Sequence, residues 1–391
     1  MPPIPLCPPA PSLSALSSGA AFEALLEGVR DRARLGEFDR QRHISRDVID
    51  AFKAHGVYRA LVPSRFGGLQ CSPAQFCEMI ERISHADGSA GWVASFGMSP
   101  VYLAALPLET IATIYQQSPD TVFAGGIFPP QPAEIVAGGF KVNGRWKYSS
   151  GSMGADVIGV GIAPRNGDKL DLPRLAVMPR SQARIEETWD TVGLLGTGSH
   201  DVVVEDVVVG EEWTFVRGGR SNLDEPLFRY PSLSLATQVL SVVGLGVARA
   251  ALDELSGMAS GRISVTGAPA LADRPLAQVD VAKAEAALRS ARAFFYEAIE
   301  QAWEHVLAGD PVPVAATNLL RLSSTHATRV AADVARNAQL LSGMTGIYND
   351  SPLARCVNDA QVVTQHAFMG DVTYQNAGAM FFGKQPLPGY L

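Results

Sequence analysis

The chain has 391 residues, of which 47% are hydrophobic and 18% are charged, and its formal net charge is -7. The length suits two or three packed units, because domains usually run about 100 to 200 residues. A nucleic-acid surface requires clustered Lys and Arg, so the negative balance argues against a nucleic-acid partner, and no basic tract is present that would attract an acidic membrane.

The cysteines and the first 19 residues indicate a cytoplasmic protein. Cys7, Cys71, Cys77 and Cys356 have neither CxxC spacing nor a His at metal-ligand distance, so neither a metal site nor a disulfide framework is predicted. Residues 1–19 are broken by prolines and carry no Lys or Arg before their apolar residues, unlike a signal peptide, and are predicted to be a flexible tail. No apolar run approaches the ~20 residues of a membrane span.

Residues 20–120 are predicted to form an N-terminal helical domain. Segments with helical periodicity, such as SRDVIDAFKAHG and SPAQFCEMIERISHADG, are separated by glycines. Ser45 is the expected N-cap of the helix in the first of these segments.

Residues 121–216 change to short strands separated by Gly, Pro and Asn. FKVNGRWKYSSG at 140–151 and GTGSHDVVVEDVVV at 196–209 are rich in β-branched and aromatic residues, which favour strands. The Asn143-Gly144 pair is the commonest kind of two-residue hairpin turn. The pattern predicts a small antiparallel barrel or sandwich.

Residues 217–391 are predicted to form a C-terminal four-helix bundle. Two apolar stripes recur at helical spacing, one of Val239, Val243, Val247, Ala251 and Leu255, the other of Leu288, Phe295, Ile299 and Val306. Short breaks around 261–273 and 309–313 separate the helices, as in a bundle. The chain is therefore assigned to the α+β class, with helices, then a β domain, then a bundle.

These segments, with ALVPSRFGG at 60–68, GSAGWV at 88–93 and VNDAQVVTQH at 357–366, resemble the acyl-CoA dehydrogenase superfamily. They look most like its oxygenase branch, the group D two-component monooxygenases such as the oxygenase component of p-hydroxyphenylacetate hydroxylase. The resemblance implies the fold of that superfamily and a homo-oligomer, either tetramer or dimer. It further implies that reduced flavin, FAD or FMN, arrives from a separate NAD(P)H-dependent reductase and is used with O2 to oxygenate a small aromatic or polycyclic molecule.

Motifs for other chemistries are missing from the sequence. No GxGxxG follows a strand and opens a helix, and there is no GxxxxGK[ST], HExxH or GxSxG. A nicotinamide site on a Rossmann fold, phosphoryl transfer, zinc proteolysis and hydrolase chemistry therefore lose their usual support.

The WKYSSG segment contains the first candidate cofactor-binding residues, Trp146, Ser149 and Ser150. At a strand end, backbone amides and two small hydroxyls can bind the polar edge of a planar heterocycle, and Trp146 can supply a flat wall. The same residues equally fit a hairpin whose serines satisfy strand-end groups. The resemblance implies that Ser150 lies against the reactive N5/C4a edge of the flavin.

His366 is the candidate catalytic base. On a helix it would share a face with Val363, and a neutral imidazole can accept a phenolic proton or hold a peroxide. A satisfied core histidine is the alternative from the residues alone. Acyl-CoA dehydrogenases use a glutamate near this position, where Ala367 stands here, and no Asp or Glu occurs between Asp359 and Asp371.

Two other functions stay open on the sequence. A glutamate from another helix could still support an acyl-CoA dehydrogenase-like enzyme that acts on a CoA thioester with bound FAD. A non-catalytic relative that serves as a binding partner is the other alternative.

Further residues are singled out by the resemblance. Gln339 and Gly343 match a loop through which one subunit touches its neighbour's flavin, although Gly343 also suits a helix C-terminus. Arg262 could bind a flavin phosphate or be a solvated surface arginine. Ser99 and Gly154 stand where many relatives have histidines, which leaves the substrate class open and allows a different oxidation.

Overall fold

A computed structural model describes residues 19–166, 169–216, 218–260 and 267–391. The N-terminal region forms helices because its apolar residues recur on one face of each segment, and those faces are buried. Ser72 and Gln75 form a capping box at the start of α4, whereas the Ser45 hydroxyl, at the N-cap of α3, donates to Glu37 instead. The helices are α1 Ala20–Arg34, α2 Glu37–Gln41, α3 Arg46–Ala54, α4 Pro73–Ala86, α5 Gly88–Ala94, α6 Pro100–Leu103 and α7 Leu108–Tyr115.

The central region is one mixed sheet, where the sequence predicted an antiparallel barrel or sandwich. In spatial order its strands run β6-β7-β2-β1-β3-β5-β8, and β4 pairs with β3. β1 and β3 are parallel, because after β2 the chain crosses to the other side of β1 before it forms β3, and the other pairs are antiparallel. The strands are β1 Phe123–Val136, β2 Gly139–Trp146, β3 Val157–Asn166, β4 Lys169–Leu170, β5 Arg174–Pro179, β6 Arg184–Glu186, β7 Asp201–Gly210 and β8 Thr214–Val216.

The predicted Asn143-Gly144 hairpin turn is wrong. Both residues lie inside β2, and the register with β7 shifts between Val142 and Gly144. The Asn143 amide explains the irregularity, because its Oδ1 accepts from the backbone N of Asp206, 2.8 Å away. The bulge lies in β7, where Glu205 and Asp206 stand opposite Asn143 alone and Asp206 has a left-handed φ of 55°.

In the described parts of residues 217–391 five helices follow the sheet, one more than the predicted four-helix bundle. Both predicted apolar stripes are buried, and α8, α9, α10 and α11 pack together while α12 packs on α10. The helices are α8 Ser232–Ala259, α9 Pro275–Ala308, α10 Val314–Ser342, α11 Pro352–Thr364 and α12 Val372–Phe381.

The helix α8 is long and apolar enough to cross a membrane, contrary to the sequence expectation that no such run exists. Of its apolar window, 89% is buried inside the protein. Its composition is thus explained by its place in the core. Because α4 packs on α8, the N-terminal helices and the bundle share one core.

The short helix α5 is the point where the three regions meet. It packs on α4 of its own region, on α8 and α11 of the bundle, and on the turn Leu195–Thr197 of the β region. The side chains of α5 can therefore touch residues from both other regions.

Candidate active site

Trp92, on α5, joins the two residues that the sequence singled out most strongly. Its indole is almost fully buried, and Nε1 donates to Ser150 Oγ at 3.1 Å. The same indole and the His366 ring pack edge to face, with the ring centroids 5.8 Å apart. The structure thus brings Ser150 and His366 together on either side of Trp92, which the sequence analysis did not identify as a site residue. A single large aromatic among the small residues of GSAGWV was the available signal.

Ser150 belongs to a line of hydroxyl groups. Its Oγ lies 2.6 Å from Ser199 Oγ, which lies 2.7 Å from Thr197 Oγ1. Thr197 Oγ1 donates to the carbonyl oxygen of Leu194 at 2.8 Å.

That last bond fixes the direction of the whole line, because a hydroxyl has one hydrogen. The Thr197 hydrogen points to Leu194, so Ser199 donates to Thr197 and Ser150 donates to Ser199. Ser150 also accepts from Trp92. Its oxygen is left with one lone pair, and toward a ligand Ser150 is an acceptor.

The backbone amides that the sequence analysis offered to a cofactor are already used. The N–H groups of Ser149, Ser150 and Gly151 donate to the carbonyl oxygens of His200, Tyr148 and Thr197. Ser149 Oγ is buried and has no partner among the described residues. Of the two serines, only Ser150 lies at the junction with Trp92.

Trp146 does not form the expected wall. Its side chain is 0% exposed in the core of the sheet, and Nε1 donates to the carbonyl oxygen of Gly161 at 2.8 Å. The exposed aromatic residue of this segment is Tyr148, which is 70% exposed and has a left-handed φ of 61°. Its ring stands perpendicular to Trp189, with centroids 6.3 Å apart.

Tyr148 and Trp189 line an open cleft of about 530 Å³. Ser199 of the hydroxyl line also borders it, and the remaining lining residues are Arg145, Lys147, Thr188, Asp190, Thr191 and Asp201. The volume is in the range of small-molecule and cofactor sites. A larger cleft of about 640 Å³ lies beside β5 and β8 and contains none of the site residues named above, so we assign no role to it.

The loop between Trp189 and Ser199 is held from two sides. Trp189 N donates to His200 Nδ1 and Trp189 Nε1 donates to Leu194 O. Leu194 has a left-handed φ of 50°, and its N donates to Asp359 Oδ1 at 2.6 Å. Burial lowers the pKa of His200, so its neutral ring is the acceptor for Trp189.

Asp359 on α11 anchors this loop from within the core. Burial, and then the neighbouring carboxylate of Asp87, raise the pKa of Asp359. Asp87 is the N-cap of α5, and its Oδ1 accepts from Ala90 N at 2.8 Å. One pair of buried carboxyl groups therefore positions both the helix of Trp92 and the loop of Thr197.

His366 lies beyond the end of its helix, where the sequence analysis placed it on the helix. α11 ends at Thr364, and His366 is the N-cap of a 3-10 turn, Ala367–Met369. Its Nδ1 accepts from Phe368 N at 3.3 Å, and its half-buried ring packs edge-on against the Phe368 ring at 4.7 Å between centroids. The hydrogen of the neutral imidazole is therefore on Nε2.

The remaining candidates lie elsewhere or outside the described residues. Gly343, exposed with φ 63°, ends α10, and Gln339 Nε2 donates to Gly346 O at 2.9 Å. Arg262 lies outside the described residues. Within residues 19–166, 169–216, 218–260 and 267–391, no group of three or more His, Cys, Asp or Glu is arranged to hold a metal ion.

Gly154 and Ser99, the two positions where the resemblance implies histidines in many relatives, are buried here. A Cβ on Gly154 would lie 3.0 Å from Ile49 Cγ1, so a larger residue would have to displace Ile49. Ser99 is almost fully buried, with its N–H donating to Phe96 O. The neighbouring residues therefore pack closely around Gly154 and Ser99.

Comparisons with known proteins show the family to which the chain belongs. Residues 23–117 match the N-terminal domain family of the acyl-CoA dehydrogenases, and residues 238–371 match a family of their C-terminal domain. The chain is 91% identical over 386 residues to an indole-3-acetate monooxygenase of Pseudomonas putida, with 99% of each chain covered.

Two further proteins match at lower identity. The flavin-dependent monooxygenase oxygenase subunit HsaA of Rhodococcus jostii RHA1 is 30% identical over 358 residues, which cover 88% of this chain and 93% of that one. The crystal structure of 3-HSA hydroxylase from Rhodococcus sp. RHA1 has a TM-score of 0.88 at 28% identity and covers 96% of this chain and 100% of that chain. The chain therefore belongs to the acyl-CoA dehydrogenase superfamily and, within it, is a flavin-dependent monooxygenase that works with reduced flavin and O2.

Proposed function

We propose that this chain is the oxygenase component of a two-component system that oxygenates indole-3-acetate. The support for the substrate is the identity of 91% to a protein of that name over almost the full length. We further propose that a separate NAD(P)H-dependent reductase supplies the reduced flavin, because the sequence has no Rossmann fingerprint of its own. A cytoplasmic location, where NAD(P)H is available, follows from the same proposal.

The single observation that carries the flavin part of the proposal is the direction of the hydroxyl line. N5 of reduced flavin bears a hydrogen, whereas N5 of oxidised flavin is an acceptor. Ser150 can only accept, because its hydrogen is bound to Ser199 and its other lone pair takes the Trp92 N–H. Ser150 Oγ can therefore accept a hydrogen bond from N5 of reduced flavin. With oxidised flavin, Ser150 Oγ and N5 would both be acceptors and no hydrogen bond could form between them.

The cleft beside Ser199 fits a flavin ring. Tyr148 and Trp189 offer aromatic surfaces, and a volume of about 530 Å³ is adequate for a planar heterocycle. When bound, reduced flavin activates O2 for transfer to the substrate. Ser150 would hold the polar edge, and the buried indole of Trp92 would keep water from the junction.

His366 would act through Nε2. Because Nδ1 accepts from Phe368 N, the neutral ring carries its hydrogen on Nε2, where it can donate but cannot accept. Acting as a base at Nε2 would require the ring to lose that hydrogen first. We therefore assign His366 the role of a hydrogen-bond donor before that of a base.

We also propose a homo-oligomer, either tetramer or dimer. Four large apolar side chains are exposed around Gln339 and Gly343, namely Leu340, Met344, Ile347 and Tyr348. A second copy that covers this patch would remove their apolar surface from water and would give Gln339 and Gly343 a neighbouring subunit to contact. Light scattering of the native protein and of Met344→Glu tests this: the variant should dissociate, and a monomeric native protein would refute it.

The flavin proposal is tested by anaerobic binding of reduced and oxidised FMN and FAD. The native protein should bind the reduced form at least about tenfold more tightly, the value of one lost hydrogen bond. Ser199→Ala removes the acceptor of the Ser150 hydrogen, so that Ser150 can donate and the preference should fall. Ser149→Ala is the matched control and should retain it. Equal binding of both forms by the native protein, or an unchanged preference in Ser199→Ala, would refute the role of Ser150.

Turnover is tested with chemically reduced flavin, isotopically labelled O2 and indole-3-acetate. We expect one labelled oxygen atom in the product for each flavin oxidised. Flavin oxidation that yields only hydrogen peroxide with this substrate would exclude indole-3-acetate.

A further inference from the structure

Arg321, on α10, is a buried cation without an acidic partner. Its side chain is only 6% exposed, and Nη1 donates to Thr237 Oγ1 on α8. In the described part of the chain, no carboxylate lies within ion-pair distance of the guanidinium. Burial lowers the pKa of Arg321, but an arginine stays protonated in proteins. The free protein thus carries an uncompensated charge, which is costly unless something pairs with it.

The unused part of the guanidinium has the shape of an anion site. With Nη1 bound to Thr237, the edge formed by Nε and Nη2 remains, and Nε has no hydrogen-bond partner. Those two N–H groups are parallel and match the two oxygens of a carboxylate. One helical turn further on, the fully buried Thr325 Oγ1 also lacks a partner. Positions i and i+4 of a helix share a face, so Thr325 offers a further donor beside Arg321.

Aromatic rings connect Arg321 to the active site. The guanidinium carbon lies 5.5 Å from the Phe368 ring centroid and 5.5 Å from that of Tyr390. Phe368 in turn packs on His366 at 4.7 Å, and His366 packs on Trp92. The row from Ser150 through Trp92, His366 and Phe368 to Arg321 is polar at one end, aromatic in the middle and cationic at the other end.

We propose that Arg321 binds the carboxylate of the substrate and makes the enzyme specific for aromatic acids that carry a short carboxylate side chain. The aromatic part of such an acid would lie along Phe368 and His366, on the side of Trp92 away from Ser150. This inference rests on the proposed function, since the carboxylate group of indole-3-acetate is what Arg321 would hold.

The first test is the stability of the free protein. Arg321→Met replaces an unpaired buried charge with an apolar chain of similar length, so the melting temperature should stay the same or rise. Arg249→Met is the matched control, because Arg249 on α8 is paired with Asp253 and Glu285 and its loss should lower the melting temperature slightly. A clear fall in stability, or failure of Arg321→Met to fold, would make Arg321 a structural residue and overturn the proposal.

The second test is equilibrium binding of indole-3-acetate and of its neutral amide, indole-3-acetamide, to the native protein and to the variants Arg321→Met, Arg321→Lys and Arg249→Met. The native protein should prefer the acid by about 10- to 100-fold, the usual effect of hydrogen bonds to a charged group. Arg321→Met should lose that preference by weakening only the acid, Arg321→Lys should keep part of it, and Arg249→Met should keep all of it. An absent preference in the native protein, or a preference that survives in Arg321→Met, would overturn the proposal.

These results separate the inference from the proposed function. If the native protein binds the acid through Arg321 but oxygenates nothing with reduced flavin, the function fails and the carboxylate site stands. If the native protein oxygenates indole-3-acetate and Arg321→Met does so with an unchanged KM, the carboxylate site fails and the function stands.

Discussion

Asp359 and Arg321 are both buried ionisable residues of the helical bundle, and their surroundings are opposite. Asp359 has a protein partner, the N–H of Leu194, and charged neighbours of both signs in Asp87, Asp39 and Arg355. Among the residues that the structure describes, Arg321 has one neutral acceptor, Thr237, and no acid. The protein thus satisfies Asp359 by itself but leaves Arg321 unsatisfied. We infer from this contrast that Asp359 maintains the fold of the site, whereas Arg321 is available to bind an anionic ligand.

His366 follows Asp359 by seven residues in the sequence, and the Phe368 ring separates it from Arg321. Loss of the His366 side chain should have the largest effect on turnover. His366→Ala should slow oxygen transfer to substrate by about 10²-fold or more, the usual effect of removing a positioned hydrogen-bond donor from a reaction site, while the Kd for reduced flavin changes little. Product formed per flavin oxidised, with hydrogen peroxide as the balance, measures this. Gln365→Ala, at the exposed neighbouring position, is the control. Normal product yield in His366→Ala would remove His366 from the site.

Removal of the Asp359 carboxylate should cost less and should affect stability first. Asp359→Ala leaves the buried N–H of Leu194 without a partner, which costs about 1 to 3 kcal/mol of unfolding free energy. Because Leu194 also supports Trp189 and Thr197, flavin binding should weaken in parallel. Urea unfolding and flavin titration measure the two effects. A variant as stable as the native protein would show that Asp359 does not hold the loop.

The pH dependence of stability separates the charge of Asp359 from its hydrogen bond. A carboxyl whose pKa is raised on folding binds its proton more tightly in the native state, so its contribution to stability is complete below the unfolded pKa of about 4 and declines as pH rises. Asp359→Asn keeps an acceptor oxygen and cannot ionise. As pH rises from acid to mildly alkaline, the stability of the variant relative to the native protein should therefore increase. Melting temperatures across that range test this, with exposed Asp350→Asn as the control. Parallel curves for the native protein and Asp359→Asn would contradict the raised pKa.

The smallest effect is expected for Trp92→Phe. The substitution keeps an aromatic ring against His366 but removes the N–H that binds Ser150, which should cost about 1 kcal/mol. Ser150 gains a lone pair and keeps its direction toward Ser199, so the preference for reduced over oxidised flavin should persist. If Trp92→Phe instead preferred oxidised flavin, the Trp92 N–H, and not the Leu194 carbonyl, would be what sets the donor-acceptor order of the Ser150, Ser199 and Thr197 hydroxyls.

The sequence allowed prediction of elements that depend on local periodicity. The stripes of the bundle repeat at helical spacing, and the structure buries them as expected. The placement of Trp146 was also available from the sequence: Phe140, Val142 and Trp146 share the period of two along β2, and all three are buried. Its assignment as a wall failed because that alternation was not applied.

Other features could not be predicted from local patterns. The left-handed backbone at Tyr148, which turns that ring outward, is unfavourable for most residues and is imposed by its surroundings. The end of α11 before His366 has no glycine or proline to announce it. The isolation of Arg321 depends on which acids approach it from other elements, and such long-range pairing has no sequence signature.

The carbonyl oxygen of Leu194 accepts from both the Trp189 indole and the Thr197 hydroxyl. A tilt of that one peptide group would therefore have two effects. It would move Trp189 at the side of the cleft, and it would change which hydroxyl donates to which between Thr197 and Ser150. Binding of a ligand in the cleft could thus change the hydrogen bonding of Ser150 without a domain motion. Evolution could retune both properties through a single loop, and an engineer who alters the 190–198 segment should expect them to change together.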